Sequence, residues 1–124
     1  EALKYLAWDQ SRITDELVRS RYEASLRPGA QEAYHATFGG ADRQANIRML
    51  SSSREDLARI EHEVLLLHGK ADQVLPVEVS VETSKLIRRS DVQLFGECGH
   101  WVQIERATSF NRIVAHFLKN GLKA

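Results

Sequence analysis

Cysteine occurs once in this chain, as Cys98. One thiol cannot close an intramolecular disulfide, and a cysteine-based zinc site is not expected from it. A lone cysteine accords with a reducing, cytoplasmic setting. Neither sign of charge is in excess: 17 Lys and Arg balance 17 Asp and Glu. That balance leaves no electrostatic case for binding nucleic acid or an anionic membrane. Long apolar runs are missing as well. The longest, Val64 to Leu67, is far short of the roughly 20 residues that cross a bilayer. No basic-then-apolar leader opens the chain, so a signal peptide is not visible. The first residue is Glu1 and the opening residues look helical, as in a fragment or a processed chain. Repeats and low-complexity segments are absent.

The 124 residues, 43% hydrophobic and 27% charged, suffice for one small domain with a core. The first fifty read as helical. Thr14 is an expected N-cap, with Asp15 and Glu16 in the first turn where carboxylates suit the helix dipole. Leu17, Val18, Ala24 and Ser25 share one arc of that helix, and Arg21 falls inside it. Arg27-Pro28-Gly29 ends it. Further helices are expected over residues 31–37, before the break at Gly39-Gly40, and over residues 42–50. The spacing of Ser53 and Asp56 predicts another short one.

The pattern changes at Val64. Val64-Leu65-Leu66-Leu67-His68 is a continuous apolar run closed by Gly69, expected as a parallel strand buried on both faces. A loop over residues 70–75 follows, then a helix from Pro76 to about Arg88. A second strand is expected at Val92–Phe95 and a second loop at Gly96–Gly99. The last helix is expected over Ser109–Lys119, with Phe110, Ile113, Val114, Phe117 and Leu118 as its apolar stripe. Strand, loop, helix, strand, loop, helix predicts an α/β fold with a right-handed crossover, whose chemistry lies in the loops after the strands.

Each of those loops holds a candidate. Taken singly, Asp72 is a turn aspartate and His100 a surface histidine. Taken together, they follow neighbouring strands whose ends lie side by side. A carboxylate beside an imidazole fixes its tautomer and stabilises the imidazolium during proton transfer. Acid before histidine is the order of the last two triad members in α/β-hydrolases.

His68-Gly69-Lys70-Ala71-Asp72-Gln73-Val74-Leu75-Pro76 resembles the acid loop of that superfamily. Cys98-Gly99-His100-Trp101-Val102-Gln103-Ile104-Glu105, followed by Phe110-Asn111-Arg112, resembles one branch of it, the meta-cleavage product hydrolases. Tyr22-Glu23-Ala24-Ser25-Leu26-Arg27-Pro28-Gly29 and Gln31-Glu32 narrow the likeness to the 2-hydroxymuconic semialdehyde hydrolase type. The resemblance covers nearly the whole chain. It implies a helical cap portion over residues 1–50 and the C-terminal part of an α/β-hydrolase core over residues 51–124. It also implies hydrolysis of a carbon–carbon bond in a ring-opened dienoate, in a dimer that needs no metal and no organic cofactor. Asp72 would orient His100. His100 would assist the dienol-to-keto change, activate a serine against the C6 carbonyl, and then activate water. Trp101 would line the pocket, and Arg21 would meet the dienoate end of the substrate, since guanidinium suits a carboxylate. The other account of Arg21 is a buried structural ion pair.

One departure stands out: Gly-x-Ser-x-Gly, the nucleophile elbow, is absent. In the family it lies upstream, before the cap, with the oxyanion-hole donors. Ser51, Ser52 and Ser53 read as a polar loop and helix start, not as substitutes. Cys98 reads as a packed residue without an activating base. His35, His62 and His116 lack metal-ligand spacing, and Trp8 reads as cap packing. Glu105 either caps the final helix or ties down the histidine loop. Ester hydrolysis, haloalkane dehalogenation and cofactor-free perhydrolysis share the fold and an acid–histidine pair. A non-catalytic binding module is the alternative from another class. With so little sheet, open strand edges predict poor folding of the isolated chain, or its oligomerisation.

Overall fold

The computed structural model describes residues 2–39 and 43–122. They form two compact units: residues 1–13 with 54–124, and residues 14–53.

The unit of residues 14–53 is helical. α1 (Asp15–Ser25) starts on Thr14, whose side chain accepts the Leu17 N–H at 3.2 Å. Gly29, at φ 81°, turns the chain through the left-handed region that favours glycine and leads into α2 (Ala30–Phe38). α3 (Arg43–Leu50) follows, and Asn46 Nδ2 donates to the Ala36 carbonyl at 2.8 Å. Residues 40–42, which hold part of the expected glycine break and the first residue of the expected third helix, lie outside the described residues. Leu17, Ala24 and Ser25 are half-buried, whereas Val18 and Arg21 are exposed.

The other unit opens with two short 3-10 turns, Ala2–Leu6 and Gln10–Arg12, where the opening residues were expected to be helical. Asp9 causes the second: its carboxylate accepts the Ser11 N–H at 3.0 Å and caps the turn. Short α4 (Arg54–Ala58) leads to β1 (Val64–Gly69), α5 (Val77–Leu86) and β2 (Ser90–Phe95). The strands pair in parallel, with Val64 opposite Ser90 and Gly69 opposite Phe95, and α5 makes the crossover. α5 stops two residues short of the expected Arg88. Ile87 turns extended and is buried, and the Ser90 hydroxyl donates to the carbonyls of Ser84 and Ile87.

β1 was expected to be buried on both faces. Val64 to Leu67 are only half-buried; His68 and Gly69 are buried. Among the described residues β1 has one neighbouring strand, and a groove of about 510 Å³ lined by Leu65, Val92, Ile113 and Phe117 runs along the sheet. A two-stranded sheet with one helix face cannot cover so apolar a run.

Beyond β2, a four-residue α6 (Val102–Glu105) precedes α7 (Ala107–Asn120), separated by the bent backbone at Arg106. The core gathers Phe95, Cys98 and Val102, with Leu67, Phe110 and Ile113 packed against them. Leu118 departs from the expected stripe and is 76% exposed. At 100° per residue it sits at the stripe's margin, while Phe110, Ile113, Val114 and Phe117 cluster together. Trp8, expected to pack in the cap, is 56% exposed and belongs to the unit of the strands. No helix of the described residues is long and apolar enough to cross a membrane.

Candidate active site

Parallel pairing brings the ends of β1 and β2 level, so the loops that leave them run together. Lys70 N–H donates to the Phe95 carbonyl at 2.8 Å and Ala71 N–H to that of Cys98 at 2.9 Å. Contact is so close at Gly69 that a Cβ there would stand 2.1 Å from the Gly99 carbonyl oxygen. Only glycine permits this approach. It sets the acid loop directly on the histidine loop.

Asp72 Oδ2 lies 2.8 Å from His100 Nδ1. Its other oxygen, Oδ1, accepts the N–H groups of Val74 at 2.7 Å and Leu75 at 3.1 Å. The Asp72 side chain is 5% exposed and that of His100 33%. The carboxylate is thus fixed and dry while one edge of the imidazole stays reachable. A carboxylate accepts, so Nδ1 carries the hydrogen. The lone pair then resides on Nε2, which makes no hydrogen bond among the described residues. This is the tautomer a general base requires.

Burial pushes the Asp72 carboxyl up. The hydrogen bond to His100 and those from Leu75 and Val74 outweigh it and hold the group below the ordinary carboxylate range. A carboxyl lowered by folding stabilises the fold above its unfolded pKa, about 4, and loses that contribution as pH falls through its folded value. The acid limb of a pH–stability curve, measured as Tm below pH 4, should therefore flatten in Asp72→Asn. An acid limb identical to the wild type's would show that Asp72 carries none of it.

Glu105 is the support that sequence could not assign. It is 8% exposed. Its Oε1 accepts the Gly99 N–H at 2.7 Å, and its Oε2 accepts the Asp9 N–H at 2.9 Å. It ties down the histidine loop and does not cap α7. The N-terminal turns complete the clamp, since Trp101 N–H donates to the Leu6 carbonyl at 3.1 Å. Cys98 is fully buried. Burial, with the Glu105 carboxylate adding to it, pushes its thiol up to about 11, so it stays a neutral packed thiol, as expected.

Asp72, His100 and Trp101 thus come together in one unit, with Trp101 half-buried at the start of α6. Arg21 stands on α1 of the other unit. Its side chain is exposed. His68 and the turns of residues 2–12 were not recognised in the sequence as parts of the site, and Glu105 was recognised only as one of two alternatives. A histidine closing an otherwise apolar strand was the one available signal for His68.

No protein-family model matches the chain. Over 118 residues it is 47% identical to a 2-hydroxy-6-oxo-2,4-heptadienoate hydrolase of Pseudomonas putida, a match that takes in 95% of the chain and 42% of the relative. It is 40% identical over 116 residues to a 2-hydroxymuconate semialdehyde hydrolase of a Pseudomonas species, covering 94% of the chain and 41% of the relative. Among solved structures, a meta-cleavage product hydrolase mutant from Pseudomonas fluorescens, complexed with acetates, superposes with a TM-score of 0.84 at 45% identity. That match covers 94% of this chain and 43% of the other. The chain spans about two fifths of the length of the relatives it matches. Sequence and fold agree: over nearly its whole length the chain is similar to the C-terminal part of meta-cleavage product hydrolases, which have the α/β-hydrolase fold.

Proposed function

We propose that the full-length protein carrying this chain hydrolyses a carbon–carbon bond of a meta ring-fission product, a 2-hydroxy-6-oxohexa-2,4-dienoate, in the breakdown of aromatic compounds. The observation that carries this reading is the 2.8 Å contact between a buried Asp72 and the Nδ1 of a part-exposed His100. The activities for which the relatives are named, hydrolysis of a heptadienoate and of hydroxymuconate semialdehyde, support the substrate class.

In this mechanism Asp72 orients His100. The free Nε2 first moves a proton as the dienol becomes the keto form, which prepares the carbon next to C6 to depart as a conjugated enolate. Nε2 then takes the proton of a serine outside this chain as it attacks C6 and gives that proton to the departing enolate. It next takes a proton from water as hydroxide attacks the acyl group, and returns it to the serine as the acid leaves. Trp101 lines the pocket beside the imidazole, and Arg21 pairs with the substrate carboxylate. The helical unit of residues 14–53 belongs to the cap assigned over residues 1–50, and the strands and α7 to the core over residues 51–124. The protein acts in the cytoplasm as a homodimer, with a small-molecule dienoate as its only partner.

Ring-fission dienolates absorb visible light. Adding the full-length protein to one should bleach that band at a rate proportional to enzyme, with a carboxylic acid and a shortened dienoate as products. Tight binding without bleaching would instead make the protein a dienoate-binding module.

A further inference from the structure

A second imidazole faces the same carboxylate. His68 is buried, 7% exposed, at the end of β1. Its Nε2 lies 3.2 Å from Asp72 Oδ2 and 3.2 Å from the Leu75 carbonyl oxygen. Its Nδ1 lies 2.6 Å from the Ser80 hydroxyl on α5. A carbonyl only accepts, so Nε2 carries the hydrogen, and in the neutral ring Nδ1 accepts from Ser80. The ring's N–H edge is therefore turned toward both Leu75 and Asp72. Leu75 is itself engaged twice, since its N–H donates to Asp72 Oδ1. His68 thus braces the acid loop through its backbone and also faces the oxygen that His100 uses.

We propose that His68 is a positioning residue for the Asp72–His100 pair: it fixes where Oδ2 sits, and so where His100 points. With His68 in place, each carboxylate oxygen meets two nitrogens: Val74 and Leu75 at Oδ1, His100 and His68 at Oδ2. Without it Oδ2 keeps one partner and the Leu75 carbonyl loses its own, so the carboxylate can rotate away from His100. A misplacement on the order of 1 Å can cost about 100-fold in rate, and a partial loosening about tenfold.

The test compares two amides in the full-length protein. In His68→Gln the amide nitrogen reaches the place of Nε2. In His68→Asn it reaches only that of Nδ1, which keeps Ser80 and abandons Asp72. The first readout is the low-field proton NMR signal of His100 Nδ1–H, assigned by its loss in His100→Gln. It should persist in His68→Gln and broaden or vanish in His68→Asn. Should His68→Asn not fold, Ser80→Ala lets the His68 ring turn and should broaden the same signal. The second readout is turnover: kcat about tenfold lower in His68→Asn, KM nearly unchanged, and recovery in His68→Gln. A wild-type His100 signal in folded His68→Asn, or in Ser80→Ala where that must stand in, overturns the proposal. The kinetic readout rests on the hydrolase reading. If the signal responds as described but no dienoate is bleached, the role of His68 stands and the hydrolase reading fails.

Discussion

Asp72→Asn in the full-length protein is expected to lower kcat by about 10,000-fold if, as proposed, Asp72 is its triad carboxylate, the loss that follows when such a group becomes an amide. The surroundings of Asp72 say why the change cannot be absorbed. Val74 and Leu75 present two backbone N–H groups to Oδ1, so the amide oxygen of Asn must stay there. Its NH2 group is then forced toward His100 Nδ1, where a donor meets a donor. Nδ1 has to give up its hydrogen, the hydrogen moves to Nε2, and the base loses its lone pair. KM should change little, because in the proposed mechanism Asp72 acts through His100 and does not touch the substrate. His100→Ala should be comparably inactive, and the double variant scarcely worse, as expected of groups that act as a unit. Single-turnover bleaching of a dienolate measures all three. An Asp72→Asn enzyme within tenfold of wild type would exclude the relay.

Glu105→Ala should be the most damaging change away from the relay. It strips the acceptor from the buried Gly99 N–H and from the Asp9 N–H. At roughly 1–3 kcal/mol for each stranded donor, the cost is about 2–6 kcal/mol, enough to lower Tm by on the order of 10 °C. Because Gly99 precedes His100, kcat should fall as well, even at temperatures where the variant is folded. Glu105→Gln keeps one good acceptor and should fall between the two. A Tm for Glu105→Ala within about 2 °C of wild type would mean that water or a rearranged loop replaces the carboxylate.

These expectations differ in how readily a sequence yields them. The elements were legible because they rest on short-range physics. Thr14 caps α1 through a hydrogen bond spanning three residues, and the apolar run from Val64 and the α7 stripe are patterns within one strand or one helix. The Asp72–His100 pair was legible as well, because parallel strands carry their following loops to the same edge, and two titratable residues at equivalent places must then be neighbours. Errors in the elements came where a side chain from elsewhere intervened, as when Ser90 closes α5 early through the Ser84 and Ile87 carbonyls.

By itself, then, the sequence determined the order of elements, the acid and histidine loops, and a likeness specific enough to name the branch. Only the tertiary structure decided what holds those loops. Glu105 reaches Asp9 across 96 positions, and His68 faces Asp72 because a helix and a loop fold back over the strand end. Contacts of that kind leave no period in a sequence. A buried carboxylate or imidazole looks like any other until its partners arrive, and the partners are chosen by the packing of the whole unit.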